Sequence, residues 1–295
     1  MTMPHEVLTD EDNAPAPSND EEQPENISQP WQMAGECPEN TIPIKRITKE
    51  DLLRLYKPTD IISDNNDHEY AIAYVNGGPY RGTKAQINVW KPRIEAGEPS
   101  LSQIWIIGGK FGPGLNTIEA GLHSDGYHKT GCYNLMCSGF VQINRRVSPG
   151  GVFNHISTYN GQQFIFTIQI WKDPKTGNWW LQLNEKDLVG YWPKELFPNL
   201  AHGTSKMGWG GEVVSKKNKR QHTMTAMGSG HFPSEGFRKA SNFKAVKTID
   251  MNNGIIDPVA VQTLVSRPTC YNLTTGYSKK WEVFFYYGGP GRNPT

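Results

Sequence analysis

Glu119 and Glu212 are the residues of this chain best placed to do chemistry. Glu119 lies in NTIEAG, straight after an apolar run and a glycine-rich turn. Glu212 lies in KMGWGGEVV, hemmed by Trp209, two glycines and two valines. Burying a carboxylate in such surroundings is costly and raises its pKa. A protein tolerates that cost chiefly where the charge is paired or used. Most of the other Asp and Glu residues stand in polar turns or tails. Two carboxyls sharing one proton can supply a general base and a general acid. The competing reading is two structural glutamates, each accepting from backbone amides.

Other chemistries find less support. No GxSxG elbow holds a serine. His222 and His231 flank TMTAMGSG without the HxxxH or HExxH spacing of a helical zinc site. GGKFGPG at 108–114 is not followed by a helical pattern, so it reads as a turn and not as a phosphate cradle. Cys132 and Cys137 sit in GCYNLMC, a spacing that can close a small disulfide loop; two reduced thiols remain the alternative, and zinc is the weaker reading. No metal or cofactor is expected. The formal charge of +1 points to neither nucleic acid nor an anionic membrane as partner. No run of about eighteen apolar residues exists to span a bilayer, and the N-terminus lacks the basic start and apolar stretch of a signal peptide. Asn26-Ile-Ser28 and Asn272-Leu-Thr274 have the form of glycosylation acceptors.

The elements that must position these residues are strands. Residues 1–36 are acidic, rich in Pro, Asn and Gln and poor in large apolar groups, so they are expected to be disordered. Within 37–66, Thr48 and Asp51 form a capping-box pattern ahead of Leu52, Leu53 and Tyr56, which predicts a short helix; PTDIISDNND then reads as a linker. From residue 67 to 295 the texture is β. YAIAYV, AQINVW, SQIWIIGG, FVQINRRV, QFIFTIQIW, NWWLQL and WEVFFYYGG are rich in β-branched and aromatic residues. In QFIFTIQIW, Phe164, Phe166, Ile168 and Ile170 share one face, which needs a second layer to cover it. Asp173-Pro-Lys-Thr-Gly177 is a turn signal that makes a hairpin of this run and NWWLQL. An all-β, antiparallel β-sandwich follows.

The strings CPENTIPIKR, SLSQIWIIGG, NTIEAG, DGYHKTGCYNLMCSGF, NWWLQL, VGYWPKELF, WGGEV, TMTAMGSGHFP and FFYYGGPG resemble the plant neprosin family. The resemblance spans nearly all of residues 37–291. It implies a propeptide, ending in the stretch around Cys37–Arg46, followed by a secreted or vacuolar β-sandwich. It also implies a glutamic endopeptidase that cuts peptide or protein substrates after proline, without a cofactor. The family's two catalytic glutamates correspond to Glu119 and Glu212, and its short loop disulfide to Cys132 and Cys137. Activity is expected to be highest in acid, where the carboxyl pair holds one proton. Trp209 is a candidate to pack a proline ring and Gln103 a candidate to line the cleft. A catalytically silent β-sandwich that binds cell-wall carbohydrate or peptide is the alternative function.

The chain departs from the family pattern in three places. The family carries a longer stretch between NTIEAG and DGY, whereas here Gly121 runs through LHS straight to Asp125. A hairpin's worth of residues is missing beside Glu119, which predicts either exposed strand edges or a shifted register there. The family's tail continues past GGPG to a cysteine, the expected mate of Cys270. The signal peptide and main body of the propeptide are not recognisable in residues 1–36.

Overall fold

The computed structural model describes residues 22–24, 29–44, 68–110, 114–124, 135, 138–215 and 222–292. The short helix expected after Thr48 and the Cys132–Cys137 loop lie outside them.

Strands dominate, as the composition predicts. In chain order they are β1 (Gln23–Pro24), β2 (His68–Tyr80), β3 (Gly82–Asn88), β4 (Ser100–Gly108), β5 (Asn116–Ser124), β6 (Val141–Gln142), β7 (Phe164–Lys172) and β8 (Trp179–Leu183). They continue with β9 (Asp187–Trp192), β10 (Thr204–Val214), β11 (Ser241–Ile249), β12 (Ile255–Ile256), β13 (Gln262–Val265), β14 (Asn272–Ser278) and β15 (Glu282–Gly288). One sheet runs β14-β15-β11-β3-β7-β8-β9-β6, with β12 on β11 and β1 on β7. The other runs β13-β2-β10-β4-β5. All pairings are antiparallel except β1 with β7.

The two sheets bury their facing sides against each other. Ala71, Ala73, Ile104, Ile106, Met207 and Trp209 from the five-stranded sheet meet Ile87, Phe166, Ile168, Ile170, Phe243 and Phe285 from the larger one. Two hydrogen bonds cross this core: Trp209 Nε1 donates to Thr83 Oγ1 at 2.8 Å, and the Tyr287 hydroxyl donates to Ser102 Oγ at 2.7 Å. The predicted hairpin joins β7 to β8. Asp173 Oδ1 accepts from the backbone N–H of Lys175 and Thr176, both at 2.7 Å, and Gly177 supplies the left-handed residue (φ +79°).

Part of the N-terminal stretch is tied to β6 and to the loop that follows it. Gln29 Nε2 donates to Ser148 O at 3.0 Å, and Ser148 N donates back to Gln29 Oε1 at 3.1 Å. Gln32 Nε2 reaches Arg146 O at 2.7 Å, Arg145 Nη2 reaches Cys37 O at 2.6 Å, and Gln142 Nε2 reaches Pro43 O at 3.0 Å. The disorder expected for residues 1–36 therefore does not extend to 29–36. Composition argued from missing apolar side chains, but this segment is held by side-chain to backbone hydrogen bonds. Cys37 and Cys270 are free thiols.

Candidate active site

The outer face of the five-stranded sheet gathers the titratable groups. Residues directly opposite on antiparallel strands point to the same face. Three such rows cross the sheet: Tyr70–Glu212–Leu101, then Ile72–Gly210–Gln103–Gly121, then Tyr74–Gly208–Trp105–Glu119. Glu212 on β10 and Glu119 on β5 are thus two strands and four residues apart on one face. At ordinary strand dimensions their backbones are offset by roughly 10 Å across and roughly 14 Å along the sheet. Gln103 on β4 occupies the row between them.

Glycine makes room in that middle row. A Cβ on Gly121 would meet Gln103 Cβ at 2.5 Å and Ser102 O at 2.2 Å. Without one, the Gln103 side chain is free to reach along the sheet, and its Nε2 donates to Glu119 Oε2 at 2.8 Å. Gln103 is almost wholly buried (3% exposed), so this amide is fixed and not a mobile surface group.

The two carboxyls are held differently. Glu212 is buried, and His68 Nδ1 and the Tyr70 hydroxyl both bond to it. The His68 and Tyr70 rings are near-parallel, with centroids 6.2 Å apart. Burial, and next the charge of Glu212, hold the Tyr70 phenol far above its ordinary range, so it stays a neutral O–H donor. Glu119 touches solvent, yet its carboxyl is pushed up first by the protein mass around it and second by the negative charge of Glu212. Glu119 thus stands on the solvent-facing side of the sheet with protein atoms close around its carboxyl. Hydrogen bonds from Thr117 and Gln103, and the charge of His68, pull the other way.

Trp209 requires a correction. It was a candidate to pack a proline ring, but it is 0% exposed and lies on the inner face, bonded to Thr83 across the core. Its neighbours in sequence, Gly208 and Gly210, face the groove because alternate residues of a strand point to opposite sides. The aromatics actually on the groove face are Tyr70, Tyr74 and Trp105.

Tyr70 and His68 were missed. The alternation in YAIAYV puts Tyr70 on the polar face of β2, but nothing in the chain marks β10 as its neighbour. The assumption that only Glu119 and Glu212 leave polar surroundings also fails. Glu69 and Glu98 are each 2% exposed. Glu69 is matched by His222 Nε2 at 2.5 Å and Arg267 Nε at 3.4 Å, and Glu98 accepts from the Thr223 and Thr225 hydroxyls. Glu69 alternates with Tyr70 on β2 and so points to the opposite face, and Glu98 stands just before β4, bonded to the segment after β10.

A family model described as Neprosin matches residues 96–290, and one described as Neprosin activation peptide matches residues 1–74. The first covers the strands that carry Gln103, Glu119 and Glu212. The second takes in the acidic tail as well as residues 37–66, and its last residues, 68–74, fall within β2.

Proposed function

The chain belongs to the neprosin family, a peptidase-like family, and on that premise we propose that its groove hydrolyses peptide bonds after proline, in acid, with Glu119 and Glu212 as the proton-transferring pair. The observation that carries the reading is the sharing of one sheet face by Glu119, Gln103, Glu212 and Tyr70, with Glu119 pushed up by the charge of Glu212.

The different hydrogen-bonding of the two carboxyls supports a division of roles. Glu212, bonded to His68 and Tyr70, is read as the base. Glu119, whose carboxyl is pushed upward, is read as the acid. Glu212 removes a proton from water as the water oxygen attacks the scissile carbonyl carbon. Glu119 gives its proton to the carbonyl oxygen, and a neutral gem-diol forms. On collapse one hydroxyl returns a proton to Glu119, the C–N bond breaks, and the nitrogen leaves with the proton collected by Glu212. Gln103 fixes the Glu119 oxygen that does not carry the proton. Tyr74 and Trp105 flank Gly208, where an added Cβ would have their atoms at 3.8 and 3.7 Å, and this flat apolar slot suits a proline ring.

Members of the family are generally extracellular or vacuolar, and acidic compartments suit the chemistry. No helix among the described residues is long and apolar enough to cross a membrane. The test is cleavage of a proline-containing peptide at acid pH. Glu119→Gln and Glu212→Gln should each lower kcat by a factor on the order of 10² to 10⁴. Intact peptide with the wild-type chain, together with polysaccharide binding untouched by both substitutions, would establish the silent carbohydrate module instead.

A further inference from the structure

We infer that His68 is a positioning residue for this chemistry: it sits at the start of β2, holds Glu212 through Nδ1, and keeps that carboxylate aimed into the groove. The inference rests on the peptidase reading of the site. His68 pairs in register with Val214, two residues beyond Glu212 on the neighbouring strand. That places its ring beside the Glu212 side chain at the end of the row, with Tyr70 on the other flank. Glu212 is buried while the His68 side chain is about half exposed (48%), so the imidazole closes the solvent side of the carboxylate.

The contact matters for the geometry of attack. A glutamate has three rotatable bonds and scans several ångströms unless its oxygens are pinned. Tyr70 pins one direction and His68 a second. The remaining lone pairs of a carboxylate, which offers about four acceptor sites, stay available to a water. A misplacement of about 1 Å in a catalytic group costs up to roughly 100-fold in rate. The charged or titratable groups facing His68 are Glu212 from β10, Tyr70 from β2 itself and, at longer range, Glu119 from β5. Glu69, next in the chain, points to the opposite face and is matched by His222 and Arg267.

The experiment has two arms. In the first, the His68 ring is titrated by NMR in the full chain, with and without Glu212→Gln. Loss of the anion should lower the His68 midpoint by roughly one pH unit; an unmoved midpoint overturns the contact whatever the enzyme does. In the second, His68→Ala should lower kcat on a proline peptide roughly 10- to 100-fold while KM stays within about threefold. His68→Asn, whose amide can stand in for Nδ1–H, should recover most of that loss. A kcat in His68→Ala within about twofold of wild type overturns the positioning role. A wild-type chain inactive on peptides sinks the peptidase reading and, with it, the catalytic half of this inference, while the titration still reads the His68–Glu212 pairing.

Discussion

At the scale of single residues, the difference between Glu119 and Glu212 comes from what surrounds each oxygen. The Glu119 carboxyl is pushed upward because the protein around it and, next, the Glu212 charge disfavour its anion. Its folded pKa stands above the unfolded value, so the anion destabilises the fold. That penalty is absent below the unfolded value of about 4.5 and grows as pH rises through the folded one. Glu119→Gln, which removes the charge and keeps the shape, is therefore expected to raise Tm at pH 7 slightly, since solvent reaching Glu119 screens much of the penalty. At pH 4 it should leave Tm nearly unchanged. Thermal unfolding of the two proteins at both values checks this, and an equal effect at both would show that no charge penalty exists at the site. The identity of both glutamates was legible from their neighbours in the chain. The place of Trp209 was not: proximity to Glu212 in sequence says nothing of which side of the sheet an adjacent residue faces.

At the scale of elements, β2 and β10 form the centre of the five-stranded sheet, and their polar ends are tied to the rest by charge. His222, in the segment after β10, puts Nδ1 on Thr223 O at 2.9 Å and Nε2 on Glu69 of β2 at 2.5 Å. With acceptors on both ring nitrogens the imidazolium is the matched form, and the bond to Glu69 is the main reason its pKa lies above 6.5. The sign follows: this stabilisation is fully present below about pH 6.5 and is lost as pH rises through the folded value. Urea unfolding should thus show stability falling from pH 6 toward pH 8. Glu69→Gln should flatten that slope and cost about 1–3 kcal/mol at pH 6; a slope unchanged by the substitution would place its origin elsewhere. Strands such as β7 and β8 were legible because their period-two pattern is unbroken. β10 was hidden because Gly208, Gly210 and Gly211 interrupt the pattern that marks a strand. FVQINRRV misled in the other direction, since only Val141–Gln142 pair.

At the scale of the whole molecule, two features bear on how the chain matures and associates. β5, which carries Glu119, pairs only with β4 among the described residues and stands at the end of its sheet. The shortened stretch after Gly121 had led us to expect such an edge or a shifted register. The second feature is the N-terminal segment. Its 29–44 portion is bonded to Gln142 of β6 and to residues 145–148 in the loop after it, remote in topology from β10, β4 and β5. The propeptide that the family resemblance implies would be expected to detach. The hydrogen bonds indicate that a cut within 58–67, the stretch read as a linker, leaves the piece containing 29–44 bound. Limited proteolysis followed by size exclusion should show it co-eluting with the domain, with Gln29→Ala, which removes both bonds to Ser148, releasing a larger fraction. Complete release from the wild-type domain would restore the detachable picture.

The sequence by itself determined the all-β class, the β7–β8 hairpin and the family, because each is written in a contiguous string or a local period. The tertiary structure alone decided that Trp209 belongs to the core, that Tyr70 and His68 flank Glu212, and that Gln103 bonds to Glu119. Those facts depend on which strands become neighbours and in what register. Register is set by long-range pairing between β2, β10, β4 and β5, and a slip of one residue would send every one of these side chains to the other face.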